Sequence, residues 1–200
     1  MLKKIEKSIF LTKPIIGIVG RKNEDYIKVN NNIVNAINKL GGIPVLILPA
    51  NDIEKVLKLC DGIIMPGGTD IYNYDKYICN YAIEKDIPLL GICLGMQIMA
   101  NSIEKNINNH YLITHKIKTK EGSIINKIIG DNYVNSRHNY HVVDIGNYNV
   151  SAYSEDGYIE AIEYPNKKFV VGVQWHPEDM IDFDKNELNL IKYFIETTKN

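Results

Sequence analysis

Cysteine is scarce. The chain has three, Cys60, Cys79 and Cys93. They are too few and too unevenly spaced for a disulfide framework, and no Cys-x-x-Cys pair or Cys/His cluster marks a metal site. A surplus of one charge is also missing. A net charge of −1 leaves no electrostatic footprint for nucleic acid or an anionic membrane surface. No apolar run approaches the ~18 residues of a membrane span. Behind the basic residues 1–7, residues 8–11 are too short an apolar run for the core of a secretory signal. Internal repeats, low-complexity tracts and interdomain linkers are absent. Arginine is limited to Arg21 and Arg137 among abundant Asn, Ile, Lys and Tyr, which reads as coding bias rather than chemistry. Together these absences predict one cytoplasmic domain over residues 1–200, with 1–13 as a short extension and neither cofactor nor metal.

What is present is an ordinary globular composition, 45% apolar and 24% charged, enough to bury one sizeable core. Apolar runs at residues 14–19, 43–48, 61–65 and 88–92 read as buried parallel strands. Between them, residues 26–40, 52–59 and 72–86 read as helices. Gly41-Gly42 stops the first, and Asp52 stands where it can N-cap the second. This alternation predicts an α/β fold, a three-layer doubly wound sheet, mostly parallel. Downstream the pattern turns antiparallel. Residues 102–132 are polar and give no clear strand. Residues 133–135, 142–145, 150–153, 158–163 and 169–174 read as short strands, and 184–198 as a closing helix with Leu188, Ile191, Phe194 and Ile195 on one face.

The run Pro88 to Ala100 holds the clearest chemical signal. A buried strand leads into Gly91-Ile92-Cys93-Leu94-Gly95 and then a helix. That is a nucleophile elbow with cysteine as the nucleophile. Glycines on both sides relieve the crowding of a tight strand-to-helix turn. A cysteine at a helix N-terminus also sits where a thiolate is favoured. Such a nucleophile needs a base and a group to orient that base. His176-Pro177-Glu178 supplies both, since residues two apart on extended chain point to one side. Acyl transfer further needs oxyanion donors. The N–H of Leu94 is one, and the glycine-rich turn Pro66-Gly67-Gly68 is the natural source of another.

Three blocks resemble those of class I glutamine amidotransferases: Met65-Pro66-Gly67-Gly68-Thr69-Asp70, Gly91-Ile92-Cys93-Leu94-Gly95-Met96-Gln97 and Val173-Gln174-Trp175-His176-Pro177-Glu178. Within that superfamily, residues 13–18, 41–44, 134–138 and 156–161 resemble the γ-glutamyl hydrolase branch, peptidase C26. The resemblance implies a flavodoxin-like fold and cleavage of the γ-amide of glutamine or a γ-glutamyl compound. Cys93 would be the nucleophile, His176 the base and Glu178 its orienting carboxylate. Gly68 and Leu94 would hold the oxyanion. Gly67, Gln97, Ser136, Arg137 and His138 would bind the γ-glutamyl group, Ser136 and Arg137 largely through backbone atoms. Leu94 stands where the hydrolase branch carries a basic residue, as in ammonia-donating subunits, and Asn139-Tyr140 replaces an expected His-Gln. The implied partners are therefore a small-molecule substrate and either a separate synthase chain or a second copy of this one. A non-catalytic binding module on the same fold is the remaining alternative.

Overall fold

The computed structural model describes residues 13–199 except Glu24 and Ile107; the expected extension, Lys13 apart, lies outside the described residues. The chain opens with β1 (Ile15–Val19), a small hairpin of β2 (Arg21–Asn23) and β3 (Tyr26–Lys28), and α1 (Asn31–Lys39). There follow β4 (Ile43–Ile47), α2 (Ile53–Leu57), β5 (Gly62–Met65), α3 (Asn73–Lys85), β6 (Leu89–Ile92) and α4 (Leu94–Met99). The second half contains β7 (Ser102–Lys105), β8 (Tyr111–Thr119), α5 (Ile124–Ile128), β9 (Asn132–Arg137) and β10 (Tyr140–Asp144). It ends with β11 (Asn149–Ser154), β12 (Ile159–Glu163), β13 (Val170–Val173), a 3₁₀ turn at Pro177–Asp179 and α6 (Lys185–Thr197).

The strands β4-β1-β5-β6-β13 lie side by side and parallel. From β13 the sheet continues antiparallel through β12, β11, β8 and β9, while β10 pairs with β12 and β7. The α/β expectation and the added antiparallel section therefore both hold. Strand alternation sorts the core into two layers. On one face Ile16, Ile18, Ile64 and Leu90 meet Ile33 and Ile37 of α1 and Ile191 and Phe194 of α6. On the other, Ile63, Met65 and Leu89 meet Leu57 of α2, Ile78 and Ala82 of α3 and Met96 of α4. Among the described residues, no helix is long and apolar enough to cross a membrane.

Four local expectations change. The helix expected over residues 26–40 begins only at Asn31, because residues 21–28 pair as a hairpin and the Asn30 side chain caps α1 by accepting from Asn32 N–H. β4 is the edge of the sheet, so Ile43 and Leu46 are exposed rather than buried. Asp52 precedes α2 but its carboxylate pairs with Lys55 Nζ at 2.8 Å instead of capping. Residues 177–179 form a turn, not extended chain.

Candidate active site

Cys93 joins β6 to α4 with φ 51° and ψ −104°, backbone space that disfavours any side chain. Such a conformation costs on the order of 1–3 kcal/mol and persists only where its surroundings impose it. Here the Cys93 N–H is held by Val173 O at 2.8 Å, and its carbonyl accepts Gln97 N–H at 3.1 Å. Strand β13 and helix α4 thus grip the residue from both sides. The turn closes only because Gly95 lies against the Met65 carbonyl, where a Cβ would collide with that oxygen. Cys93 is left 8% exposed.

His176 follows β13 and is fixed through its backbone. Asn135 Nδ2 donates to His176 O at 2.9 Å, and His176 N–H donates to Asn135 Oδ1 at 2.8 Å. Next to it, the buried Trp175 indole donates to Glu187 Oε2 at 2.8 Å. The turn at 177–179 brings buried Glu178 back to His176, with Oε1 2.9 Å from Nδ1. Asn30 Nδ2 reaches the same oxygen at 3.4 Å. With Nδ1 committed to the carboxylate, Nε2 is the nitrogen left for Cys93. Burial acts to lower the His176 pKa, but hydrogen bonds to Cys93 and Glu178 outweigh it and raise the imidazole to about 10.

Gly67 lies across this pair. A Cβ there would stand 2.8 Å from His176 Cε1 and 3.6 Å from Cys93 Cβ, so any side chain would displace the imidazole. A Cβ on Gly68 would meet Leu94 Cδ2 at 3.2 Å, which puts the glycine turn against the start of α4. Behind the turn, buried Arg21 Nη1 pairs with both oxygens of buried Asp75 at 2.8 Å, leaving Nε and Nη2 unpartnered. A cleft of about 330 Å³ opens here, lined by Arg21, Lys28, Val29, Asn30, Pro66 and Gly67.

Cys93, His176, Glu178, Gly67, Gly68 and Leu94 are thus brought together. Gln97 lies just beneath them. Its Nε2 donates to Tyr140 O at 3.0 Å and to Gln174 Oε1 at 3.2 Å, and Gln174 Nε2 approaches Cys93 Sγ at 3.6 Å. The Ser136 hydroxyl is buried and donates to His110 O at 2.6 Å. Arg137 Nη2 pairs with Asp179 Oδ2 at 2.6 Å. The His138 side chain turns inward, 3% exposed, with Nδ1 against Tyr140 O at 2.9 Å, and does not join the thiol site. Sequence reasoning missed Asn135, Gln174 and Asn30. Asn135 directly precedes Ser136-Arg137 and Gln174 lies within the block ending at Glu178, but nothing in the sequence showed which way their amides point.

The peptidase C26 family profile matches residues 14–75 and 72–178. The chain belongs to the peptidase C26 family. This C26 chain is 32% identical to PB2B2.05 of Schizosaccharomyces pombe, which is named as a glutamine amidotransferase, across 93% of its own length and 87% of the other's. It is 25% identical to the γ-glutamyl-γ-aminobutyrate hydrolase PuuD of Escherichia coli, across 84% of its own length and 87% of PuuD. Its fold matches the glutaminase domain of Trypanosoma brucei CTPS, with a TM-score of 0.71 at 20% identity over 93% of this chain and 94% of that one. The C26 chain is an enzyme of the class I glutamine amidotransferase or γ-glutamyl hydrolase type.

Proposed function

We propose that this protein is a cytoplasmic cysteine amidohydrolase that cleaves the γ-amide of a γ-glutamyl compound through a γ-glutamyl thioester. The observation that carries this reading is the strained Cys93, which shares Gly67 as a close neighbour with His176, whose Nδ1 lies 2.9 Å from Glu178 Oε1. The Cys93 thiolate, formed by proton transfer to His176 Nε2, attacks the γ-carbonyl. The resulting oxyanion takes N–H groups from Gly68 and Leu94. The tetrahedral adduct collapses, the C–N bond breaks, and Nε2 returns its proton to the departing amine. Water then attacks the thioester, giving its proton to His176 and releasing the free γ-carboxylate and the thiol. Glu178 fixes the imidazole tautomer and supports its positive charge.

The cleft beside Gly67 receives the departing amine. Its lining includes Arg21, a buried guanidinium whose Nε and Nη2 lack partners and whose positive charge suits a carboxylate. The aminobutyrate named in the PuuD substrate ends in such a group. We therefore expect γ-glutamyl-aminobutyrate to be cleaved at least about tenfold faster (kcat/KM) than the γ-glutamyl amide of butylamine, which lacks that carboxylate. Assaying both with the isolated chain tests this, and equal rates would reject the cleft assignment. Leu94 favours a second reading, an ammonia-donating subunit acting with a separate synthase chain. In that case the isolated chain would be nearly silent on every γ-glutamyl amide.

A further inference from the structure

Three histidines and one glutamate converge in the antiparallel half, outside the thiol site. His110 precedes β8, His115 lies on it, His138 follows β9 and Glu160 lies on β12. Glu160 is 0% exposed, His110 and His138 are 3% exposed, and His115 is half-buried. One ligand atom from each lies within 4.8 Å of the other three. His110 Nδ1, His115 Nε2 and His138 Nε2 stand 3.6, 3.6 and 3.5 Å from Glu160 Oε1. None of these three nitrogens, nor either Glu160 oxygen, has a hydrogen-bond partner. Buried polar atoms are rarely left this way, and five at one point are a costly arrangement.

The opposite ring nitrogens are all engaged. His110 Nε2 faces Asp156 Oδ2 at 3.0 Å and Oδ1 at 3.2 Å. His138 Nδ1 faces Tyr140 O at 2.9 Å, with the Asn106 amide nitrogen 3.2 Å away but donating to His138 O at 2.9 Å. His115 Nδ1 faces Lys116 O at 3.3 Å. Each of these oxygens accepts, so the outer nitrogen carries the proton and the lone pair is left pointing inward. Histidines held this way by a carboxylate or carbonyl are the usual ligands of a metal ion. The spacing fits as well. Four ligands at the ~2.0–2.1 Å of zinc coordination lie about 3.3–3.4 Å apart around a tetrahedron, close to the three distances from Glu160.

We propose that His110 Nδ1, His115 Nε2, His138 Nε2 and the Glu160 carboxylate bind one divalent transition-metal ion of the zinc class. All four positions come from the protein, so the site is closed and structural. It ties β8, the β9–β10 connection and β12 to one point. Tyr140 O, which faces His138, also accepts from Gln97, whose amide leads through Gln174 to Cys93. The ion therefore steadies the segment carrying Asn135, whose amide holds the His176 backbone. The sequence shows no metal motif because the ligands come from three separate segments.

The test uses the full chain without an affinity tag, dialysed against chelator and titrated with Co²⁺, then Zn²⁺. One equivalent of Co²⁺ should bind with the visible absorption of tetrahedral nitrogen and oxygen coordination, Zn²⁺ should displace it, and the melting midpoint should rise by several degrees. Cys93→Ala should keep the band and stoichiometry, which excludes coordination at the thiol. Glu160→Gln and His115→Ala should each weaken binding at least 100-fold. Failure of the wild-type chain to bind either ion at one equivalent would overturn the proposal. So would loss of the band in Cys93→Ala, or unchanged affinity in a folded His115→Ala. If both ligand variants misfold, the wild-type and Cys93→Ala titrations decide alone.

Discussion

The two halves of the sheet place their polar groups differently. In the parallel half, β5, β6 and β13 are apolar or glycine throughout, and the reactive groups sit in the loops beyond them. In the antiparallel half the strands themselves carry buried polar residues, Ser136, Ser151, Ser154 and Glu160. A parallel strand buried on both faces has room only for apolar side chains, so chemistry moves to its C-terminal end. The antiparallel strands instead serve as a positioning frame. Asn135 reaches across to hold His176, and Tyr140 O holds Gln97.

Substitutions on either side test that division. Cys93→Ala should lower kcat at least about 10⁴-fold, since nothing else supplies the nucleophile, and a thermal melt should show the fold unchanged. Glu178→Gln replaces a carboxylate that helps raise the His176 imidazole to about 10 with a neutral amide. The imidazolium then loses its proton at lower pH, so activity should fall roughly 10²–10³-fold near neutrality and more steeply as pH rises. A pH profile of kcat/KM checks the direction. Asn135→Ala tests whether the antiparallel half positions the base: kcat should fall roughly 10–100-fold with KM little changed. A fall in melting midpoint with kcat intact would assign Asn135 to packing alone.

The smallest effect concerns stability. Burial, helped by the nearby Asp184 charge, pushes the Glu187 carboxyl up to about 7 against the hydrogen bonds from Trp175 and Asn132. Folding therefore favours the protonated carboxyl, and stability should fall as pH rises from about 4.5 towards 7. Glu187→Gln should remove that fall and stabilise the chain by on the order of 2 kcal/mol at pH 8. Urea melts at pH 5 and pH 8, followed by the fluorescence of Trp175, the chain's sole tryptophan, measure it.

The same contrast explains what the sequence disclosed. Continuous apolar runs at β1, β5 and β6, punctuated by glycine turns, marked the parallel half and the elbow at Cys93 in advance. His176 and Glu178 were legible as a pair, although a turn rather than extended chain joins them. Residues 102–132 were opaque because β7 and β8 alternate polar and half-buried positions, as in Tyr111–Thr119, and gain their core only by pairing, β7 with β10 and β8 with β9 and β11. Asn135 could not be read because its role depends on contact with a residue far along the chain. The histidines at 110, 115 and 138 were unreadable as a group for the same reason.

Burial pushes the thiols of Cys60 and Cys79 up to about 11 and about 12, which leaves Cys93 as the sulfur beside a charged imidazole. The most direct measurement mixes the chain with a γ-glutamyl amide, quenches in acid within milliseconds and maps any adduct by peptide mass. A glutamyl group is expected on the peptide containing Cys93 and none on those containing Cys60 or Cys79. Turnover with no adduct at Cys93, or with an adduct on another cysteine, would contradict it.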